Sequence, residues 1–457
     1  MNPQIFREYD IRGVAERDLT DEVVELLGKA FGTVVRRSGS NQVLVGRDNR
    51  LSSGRLRDAM TRGLLAAGCA VIDLGLVVTP VLYYARVHFG IDGGVMITGS
   101  HNPPDENGFK LALGSGTIYG KEIQALKKLI NEGDFLAGVG RLEKRDAVGP
   151  YLTMLKDKIG LGPGKLKVAV DCGNGTAALF AEKILEGWGC EVIPLYCVSD
   201  GTFPNHQPDP VKTKNLAELR QAVLEKGADV GLAFDGDADR IGVVDEKGGI
   251  IWGDLLMCLY WREIMAKNPG AQAIIEVKCS QALVDEVERL GGRPSFYKTG
   301  HSLIKARMKE IGAVFTGEMS GHMFFADEFF GFDDAFYAAG RLLRVLSNAA
   351  EPLSVMLAGV PKYYSTAETR IPCPDQDKFR VTGELVKRFS RDYQVIDVDG
   401  LRVLFGDGWG LVRASNTQPV LVARCEAKTR EGLQRISAVM KEALGAFPEV
   451  EDFEWEY

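Results

Sequence analysis

A strand, a helix and a second strand follow one another in residues 43–74, which read VLVGRDNRLSSGRLRDAMTRGLLAAGCAVIDL. The apolar runs at 43–45 and 70–74 are typical of strands, and the pattern at 54–67 is typical of a helix. A further apolar run at 95–98 continues the alternation. This alternation predicts a doubly wound α/β domain in the first third of the chain.

The same alternation recurs in two later stretches, 166–245 and 273–348. After Pro361 the pattern changes to short strand-like runs that are separated by Gly and Asn turns. We therefore expect an α/β protein with three doubly wound α/β domains and a C-terminal α+β domain that contains an antiparallel sheet. Gly and Pro residues mark the boundaries between the four predicted domains, which are 1–148, 149–249, 250–360 and 361–457.

The composition argues against several classes of protein. Of the 457 residues, 45% are hydrophobic and 26% are charged, as in an ordinary soluble protein, and the formal net charge is -7. This acidic balance argues against a general nucleic-acid binder and against a protein of acidic membrane surfaces. The sequence has no secretory signal pattern and no apolar stretch of membrane-spanning length, and its eight cysteines form no C-x-x-C pair. These features predict a cytoplasmic protein that binds neither nucleic acid nor membrane.

The most distinctive local sequence is TGSHNPP at 98–104, which directly follows an apolar strand. Ligands of open α/β sheets commonly bind at the carboxyl ends of the strands, and this turn would present the Ser100 hydroxyl there. A hydroxyl that lies beside the His101 imidazole and glycine amides can exchange a phosphoryl group. A plain turn is the alternative, because Gly, Asn and Pro are common turn residues.

A second distinctive sequence, DGDADR at 235–240, lies between two apolar runs. Its carboxylates at alternate positions, Asp235, Asp237 and Asp239, suit a hard cation such as Mg²⁺ or Ca²⁺. An EF-hand is one competitor, but its sixth position requires Gly and the residue here is Arg240. A solvated acidic turn is another, although three clustered charges between apolar strands are unfavourable without a cation.

Two weaker clusters follow later strands, GEMSGH at 317–322 and RASNT at 413–417. In the first, Glu318 and Ser320 could bind sugar hydroxyls, and in the second an arginine with three hydrogen-bonding side chains could hold a phosphate. Each has an equally plausible reading as a turn. Further single candidates are Tyr9, Asp10, Arg12, Arg47, Lys110, Lys278 and His301.

Together these motifs resemble those of the α-D-phosphohexomutase family, and within it the bacterial phosphomannomutase/phosphoglucomutase branch. Five segments match in order and span nearly the whole chain: YDIRG at 9–13, TGSHNPP at 98–104, DGDADR at 235–240, GEMSGH at 317–322 and RASNT at 413–417. The resemblance implies four domains around a central cleft, of which the last is a mobile phosphate-binding lid. It also implies small-molecule sugar phosphates as substrates, for a chain that is a monomer or a weak homo-oligomer.

The resemblance assigns a role to each candidate. Ser100 is the phosphoserine, and it binds Mg²⁺ together with Asp235, Asp237 and Asp239. His101, Lys110 and Arg240 position or stabilise the transferring group, and Arg12 and Lys110 are candidates for proton transfer at the sugar hydroxyl. The substrate-binding residues are Tyr9, Lys278, His301, Glu318, Ser320, Arg413, Ser415, Asn416 and Thr417.

The implied reaction interconverts hexose 1-phosphates and hexose 6-phosphates. Ser100 transfers its phosphoryl group to give a hexose 1,6-bisphosphate, which reorients before the other phosphate returns to Ser100, so that glucose 1,6-bisphosphate serves as activator and intermediate. Met319 is the residue found in phosphomannomutase/phosphoglucomutase, whereas phosphoglucosamine mutases usually carry Gln there. We therefore expect activity on mannose and glucose phosphates, with a phosphoglucosamine mutase and a metal-dependent phosphoserine phosphohydrolase as alternatives. A Ca²⁺-binding protein without catalytic activity is a third.

Overall fold

The computed structural model of the chain describes residues 1–456, and it begins with a seven-stranded mixed sheet. The strands are β1 (Ile11–Val14), β2 (Gln42–Arg47), β3 (Ala70–Leu76), β4 (Gly93–Ile97), β5 (Glu106–Leu113), β6 (Gly116–Thr117) and β7 (Arg141–Lys144). The helices are α1 (Asp21–Arg37), α2 (Ser53–Ala66), α3 (Thr79–Phe89) and α4 (Lys121–Glu132). The sheet order is β1-β5-β4-β2-β3-β7, with β6 beside β5.

The centre of this sheet is parallel, as the alternation of strands and helices predicts. Strand β2 pairs in parallel with both β3 and β4, whereas β5 runs antiparallel to β4 and β1. Val43, Leu44 and Val45 are fully buried because helices cover both faces of the central strands. The loops that follow β2, β3 and β4 therefore meet at one edge of the sheet.

A five-stranded sheet follows, in the order β12-β11-β10-β8-β9. Its elements are α5 (Val148–Lys158), β8 (Lys167–Asp171), α6 (Ala181–Gly187), β9 (Glu191–Leu195), α7 (Ala217–Lys226), β10 (Val230–Phe234), β11 (Ile241–Asp245) and β12 (Ile250–Ile251). Strands β8, β9 and β10 are parallel, and β10 and β11 form an antiparallel hairpin. The predicted boundary at 148–149 lies at the start of α5, where Pro150 is tolerated because it occupies the first helical turn.

The third part of the chain has helices around two short strand pairs rather than one continuous sheet. Its elements are α8 (Gly253–Lys267), β13 (Gln272–Glu276), α9 (Gln281–Arg289), β14 (Arg293–Tyr297), α10 (His301–Ile311), β15 (Phe315–Gly317), β16 (Met323–Phe325), α11 (Ala335–Asn348) and α12 (Leu353–Met356). Strands β13 and β14 are parallel, and β15 and β16 are antiparallel. The GEMSGH sequence forms the end of β15 and the turn into β16.

The C-terminal part is an antiparallel sheet with two helices, as its short strand-like runs predict. Its elements are β17 (Tyr364–Ser365), β18 (Thr369–Pro372), α13 (Lys378–Phe389), β19 (Gln394–Ile396), β20 (Leu401–Leu404), β21 (Gly408–Ala414), β22 (Val420–Ala427) and α14 (Arg430–Gly445). The sheet order is β17-β22-β21-β20-β19, with β18 beside β22. Three short 3-10 helices complete the described chain, at Pro3–Ile5, Thr176–Leu179 and Thr213–Leu216.

The hydrophobic cores differ in how many parts of the chain they join. One large core contains buried residues from the first three parts, including Leu44, Val168 and Leu256, whereas the C-terminal part has a separate core. Among residues 1–456, no helix is long and apolar enough to cross a lipid bilayer. All eight cysteines are free thiols.

Candidate active site

Ser100 lies in the turn after β4, at the edge of the first sheet that faces the β10–β11 hairpin. Its backbone has a φ of 48°, a left-handed value that non-glycine residues rarely adopt. The Ser100 amide donates to Thr98 Oγ1 at 2.9 Å, and the Ser100 hydroxyl donates to Asp235 Oδ2 at 2.6 Å. The turn thus directs the hydroxyl at the carboxylate loop of the second part of the chain.

Arg50 holds the Ser100 turn in this conformation. Its guanidinium is fully buried and donates to the carbonyl oxygens of Ser100 at 2.7 Å and Asn102 at 2.6 Å. It also donates to the carbonyls of Pro103 and of Glu106, the latter at 2.9 Å. Four carbonyls on one planar cation fix the course of the loop, so Arg50 is a positioning residue that the motif analysis missed.

Asp235, Asp237 and Asp239 lie in the hairpin between β10 and β11, and all three are fully buried. One oxygen from each lies within 4.8 Å of the others. Because the flanking elements are strands, the EF-hand alternative is wrong, and Glu246, which would supply its twelfth position, instead accepts from the Ser354 amide at 3.1 Å.

Besides Ser100, two side chains form hydrogen bonds with the carboxylates, through the ammonium of Lys110 and the hydroxyl of Thr79. Lys110 Nζ contacts Asp237 Oδ2 at 2.7 Å and also Asp239 Oδ2, and Thr79 Oγ1 donates to Asp237 Oδ2 at 2.5 Å. Within residues 1–456, the other oxygens of these two residues, Asp237 Oδ1 and Asp239 Oδ1, are buried and have no hydrogen-bond partner. Buried carboxylate oxygens that lack a donor, beside the Ser100 hydroxyl, fit a hard divalent cation.

The pKa values of Asp235 and Lys110 in this cluster are raised, whereas the pKa of Asp237 is lowered. Burial, together with Asp237 and Asp239, raises the pKa of Asp235 well above its usual value. Burial would also raise the pKa of Asp237, but the ion pair with Lys110 holds it below normal. Burial opposes the charge of Lys110, yet Asp237 and Asp239 raise its pKa well above the usual value. The cluster is therefore a carboxylate site that already contains one positive charge, the ammonium group of Lys110. We call Ser100, Lys110 and the three aspartates the serine–carboxylate pocket.

His101, Arg12, Arg240 and His322 surround this pocket. His101 Nδ1 lies 3.3 Å from Ser100 Oγ, and burial with the nearby Arg240 and Arg12 lowers the pKa of His101 well below normal. Arg12 donates to Asp10 at 2.6 Å and to Asn102 at 3.1 Å. Arg240 Nε donates to His322 Nε2 at 2.9 Å. His322 belongs to the GEMSGH motif, but the motif analysis gave it no role.

The sugar-recognition candidates lie between the third and first parts of the chain. Glu318 accepts from the Gly300 amide at 3.0 Å and from Ser320 Oγ at 2.9 Å. The Tyr9 hydroxyl donates to the Thr299 carbonyl at 2.8 Å, and its ring lies 6.2 Å from that of His301. Lys278 Nζ contacts Glu368 at 2.9 Å, which joins the third part to the C-terminal part.

Arg413, Ser415, Asn416 and Thr417 lie at the end of β21 and in the turn into β22, and we call them the phosphate cup. Arg413 Nε donates to Asp399 Oδ2 at 2.8 Å, which leaves the two terminal nitrogens of the guanidinium for another acceptor. The Ser415 hydroxyl accepts from the Thr417 amide at 3.3 Å. Asn416 Nδ2 donates to the Tyr9 hydroxyl at 2.6 Å, so the cup touches the first part of the chain.

The structure thus brings the predicted residues into two groups, which are the serine–carboxylate pocket with the residues around it and the phosphate cup. Tyr9 contacts the cup through Asn416, and His301 lies beside Tyr9. Sequence reasoning missed Thr79, Arg50, His322, Lys305 and Asp333, all of which lie in or behind these groups. Thr79 follows β3 and Arg50 follows β2, at the same sheet edge as Ser100. Their position after neighbouring parallel strands is the signal that could have found both. Lys305 and Asp333 carry no such signal, because only the fold places Asp333 beside His322 and Lys305 beside Asp333.

Four family models match successive parts of the chain. They are phosphoglucomutase/phosphomannomutase alpha/beta/alpha domain I at residues 3–137, domain II at 150–249, domain III at 252–364 and the C-terminal domain at 368–443. A phosphomannomutase/phosphoglucomutase of Pseudomonas aeruginosa is 46% identical over 447 residues, which cover 97% of this chain and 96% of that protein. A phosphoglucomutase of Neisseria meningitidis is 43% identical, with 97% of both chains covered.

Solved structures agree with these relatives. The crystal structure of a phosphoglucomutase/phosphomannomutase family protein from Burkholderia thailandensis has a TM-score of 0.92 to this chain. The two are 42% identical, and the match covers 98% of each chain.

Proposed function

The chain belongs to the phosphoglucomutase/phosphomannomutase family, and from this membership we propose that it interconverts hexose 1-phosphates and hexose 6-phosphates. The observation that carries the proposal is the Ser100 hydroxyl, which lies 2.6 Å from Asp235 in a cluster of three buried carboxylates. This arrangement suits a serine that is phosphorylated beside a cation.

In the proposed reaction, phosphorylated Ser100 transfers its phosphoryl group to a sugar hydroxyl. The P–O bond to Ser100 Oγ breaks, a P–O bond to the sugar oxygen forms, and the hydroxyl proton passes to a base. The leaving Ser100 oxygen has Asp235 at 2.6 Å and His101 Nδ1 at 3.3 Å as hydrogen-bonding neighbours. Lys110 and Arg240 supply positive charge for the equatorial phosphate oxygens.

The base that accepts the sugar proton has to be an uncharged group. This requirement distinguishes between Lys110, Arg12 and His322. Asp237 and Asp239 raise the pKa of the Lys110 ammonium against its burial, and Asp10 does the same for the Arg12 guanidinium. Both therefore remain charged and act as donors. His322 Nε2 accepts from Arg240 Nε at 2.9 Å, and we assign the acceptance of the sugar proton to this nitrogen after Arg240 turns to the phosphate and frees the Nε2 lone pair.

Mg²⁺ is the cation that we propose for Asp235, Asp237, Asp239 and the phosphate on Ser100. When bound it would offset the charge on the phosphate and polarise the phosphorus for in-line transfer. The unpartnered oxygens of Asp237 and Asp239 support this assignment. Lys110 keeps two of the three carboxylates ordered whether or not the cation is present.

The phosphate cup would hold the phosphate that does not react. A single cup serves both orientations of the hexose 1,6-bisphosphate, which must turn around between the two transfers. Tyr9, Lys278, His301, Glu318 and Ser320 would contact the sugar between the cup and the serine–carboxylate pocket. Ser100 is 1% exposed, and this exclusion of water favours transfer to a sugar over the phosphohydrolase alternative.

Glucose and mannose phosphates are the proposed substrates, because the relatives with full-length similarity are named for these two sugars. Met319 in the sugar loop agrees with that choice over glucosamine phosphate. We further propose a cytoplasmic enzyme that acts as a monomer or a weak homo-oligomer without nucleic-acid partners.

A coupled assay tests the proposal. Purified protein with Mg²⁺ and a trace of glucose 1,6-bisphosphate is given glucose 1-phosphate, mannose 1-phosphate or glucosamine 1-phosphate, and formation of each 6-phosphate is measured. We expect turnover of the first two and slower turnover of the third. Fastest turnover of the glucosamine compound would support the phosphoglucosamine mutase alternative, and release of inorganic phosphate without isomerisation would support the phosphohydrolase.

A further inference from the structure

Asp333 is a buried carboxylate behind the proposed active site, and no step of the reaction above uses it. It lies between β16 and α11 and is fully buried. Its Oδ1 accepts from Lys305 Nζ at 2.8 Å, and its Oδ2 lies 3.0 Å from His322 Nδ1. A carboxylate in contact with one nitrogen of an imidazole can fix both the orientation and the tautomer of that ring.

The partners of His322 determine which nitrogen carries the proton. Arg240 Nε donates to His322 Nε2 at 2.9 Å, and an arginine has only donors, so Nε2 must offer its lone pair. In a neutral imidazole the hydrogen is then on Nδ1. That nitrogen lies 3.0 Å from Asp333 Oδ2 and 3.6 Å from Asp239 Oδ1, so Asp333 is the nearer acceptor; the two atoms are at hydrogen-bonding distance, although the N–H is not aligned with the oxygen in this structure.

We propose that Asp333 is a positioning residue for the phosphoryl transfer: it binds Nδ1–H of His322 and so keeps Nε2 as the acceptor on the side of Arg240. The proposal rests on the proposed function, in which His322 receives the proton of the sugar hydroxyl. Asp333 touches no reacting atom, and His322 is the nearer of the two imidazoles beside it, since His301 Nδ1 lies 3.8 Å from the same oxygen.

Asp333 is itself held charged and in place by neighbours from several elements. Burial alone would raise the pKa of Asp333, but Lys305 and His322 lower it well below the usual value. Lys305 reaches across to the first part of the chain, where its Nζ lies 3.4 Å from the Tyr83 hydroxyl. The backbone is fixed as well, because the Ala335 amide donates to the Ala238 carbonyl in the carboxylate hairpin at 3.1 Å.

A second reading of the same atoms is a cation site, since Asp239, His322 and Asp333 lie close enough to share an ion. Lys305 and Arg240 already place positive charge on both sides of this trio, at 2.8 Å from Asp333 and 2.9 Å from His322. We therefore favour the carboxylate–imidazole pair over a second metal.

Asp334 provides a matched control, because it is the next residue in the chain and points elsewhere. Its side chain accepts from the Tyr151 hydroxyl at 2.9 Å and from the Tyr337 amide at 2.9 Å, where it caps α11. Asp333→Asn and Asp334→Asn make the same substitution at adjacent, equally buried positions, although burial raises the pKa of Asp334 to about 7 whereas Lys305 and His322 keep Asp333 charged. Only the first changes the contact with His322.

The kinetic test compares kcat and KM of the two variants for glucose 1-phosphate. We expect Asp333→Asn to lower kcat about 10- to 100-fold with KM unchanged, and Asp334→Asn to leave both close to wild type. Equal kcat values for the two variants, or a loss in Asp333→Asn that lies only in KM, would overturn the proposal.

The spectroscopic test uses ¹⁵N-histidine labelling, which is practical because the chain has five histidines. His322→Gln assigns the His322 signals by their disappearance. In the wild-type protein we expect hydrogen on Nδ1 and none on Nε2, and in Asp333→Asn a larger fraction of the other tautomer, in which the contact between Arg240 and Nε2 is broken. A wild-type ring that carries hydrogen on Nε2 contradicts the proposal even if Asp333→Asn fails to fold.

The two tests also separate this proposal from the proposed function. If the wild-type protein isomerises no hexose phosphate, the function is wrong whatever the tautomer of His322. If it isomerises them and Asp333→Asn matches Asp334→Asn, only the role of Asp333 is wrong.

Discussion

The serine–carboxylate pocket and the phosphate cup are held in the molecule in different ways. The pocket joins the first two parts of the chain, which share one hydrophobic core with the third, and Ser100 and its three aspartates are almost fully buried. The cup belongs to the C-terminal part, which has its own core and meets the third part through a small cluster of Val277, Trp409 and Leu411.

Polar contacts make up much of the remaining attachment of the cup. Asn416 donates to Tyr9 at 2.6 Å, Asp399 accepts from the Thr299 amide at 3.1 Å, and Lys278 contacts Glu368 at 2.9 Å. Such contacts exchange readily with water, whereas a shared apolar core does not. The comparison indicates that the serine–carboxylate pocket, where the chemistry takes place, is held rigidly, whereas the phosphate cup, which binds the substrate, can separate from the rest of the molecule. Changes in the pocket should therefore reduce kcat, and changes in the cup should raise KM.

The largest effect is expected from Ser100→Ala, which removes the group that accepts the phosphate. We expect activity to fall by at least about 1,000-fold, because no other hydroxyl occupies its place beside Asp235. The coupled mutase assay measures the loss, with Ser390→Ala on the exposed end of α13 as the control. Residual activity above one tenth of wild type, measured free of contaminating enzyme, would contradict the role of Ser100.

Asp237→Asn should have the next largest effect, since it removes one carboxylate of the cation site and half of the ion pair of Lys110. We expect kcat to fall at least about 100-fold. Asp200→Asn, an exposed residue with the same change of charge, serves as control. Treatment of the wild-type protein with EDTA should cause a similar loss that added Mg²⁺ reverses. Full activity after EDTA would argue against a cation in the pocket.

Arg50→Lys tests whether the Ser100 turn is held by the planar guanidinium. A lysine cannot bind the four carbonyls that Arg50 binds, and a small displacement of Ser100 would reduce kcat by about 100-fold without a matching change in KM. Arg37→Lys, at the exposed end of α1, is the control. Unchanged kcat in Arg50→Lys would show that the turn keeps its conformation without this residue.

Asp399→Asn should act on the cup and on its contact with Thr299, and leave the serine–carboxylate pocket unchanged. Its carboxylate orients Arg413 through the bond to Nε, and its loss should raise KM by about tenfold while kcat stays near wild type. Asp397→Asn, two residues earlier and exposed, is the control. A fall in kcat with constant KM would contradict the separation between pocket and cup.

The smallest effect is expected from Tyr9→Phe, which removes the hydroxyl that joins Asn416 to Thr299. One hydrogen bond of this kind supports an increase in KM of about threefold. Hydrogen exchange of the turn between β21 and β22 should quicken in parallel, since the cup loses a contact with the first part of the chain. Tyr393→Phe, an exposed tyrosine of the same C-terminal part, should change neither value.

The sequence predicted much of this fold and site because both depend on local patterns. The strands at Val230–Phe234 and Ile241–Asp245 lie in the second predicted stretch of alternation, and Val420–Ala427 is one of the strand-like runs predicted after Pro361, because apolar runs with turn residues on both sides specify them. The serine and carboxylate motifs were also recognisable, since they follow strands whose carboxyl ends meet at one edge.

Other features could not be predicted, because they depend on contacts between distant parts of the chain. The third part has two separate strand pairs, and no pattern of apolar residues in the sequence predicts which strands pair with each other. Lys305 and Asp333 lie 17 and 11 residues from His322 in the sequence, and only the fold brings Asp333 to its ring and Lys305 to Asp333. In the sequence Arg50 looks like an ordinary loop arginine. Its role is visible only in the structure, where carbonyls of residues 100–106 surround its guanidinium.

The most direct test of the central claim is the intact mass of the protein, with peptide mapping of the Ser100 segment. The protein is measured before and after glucose 1,6-bisphosphate, and again after glucose 6-phosphate. We predict that the bisphosphate loads one phosphate on Ser100 and that the monophosphate removes it, with sugar bisphosphate as the product. A protein that turns over hexose phosphates while Ser100 never carries phosphate would contradict the account.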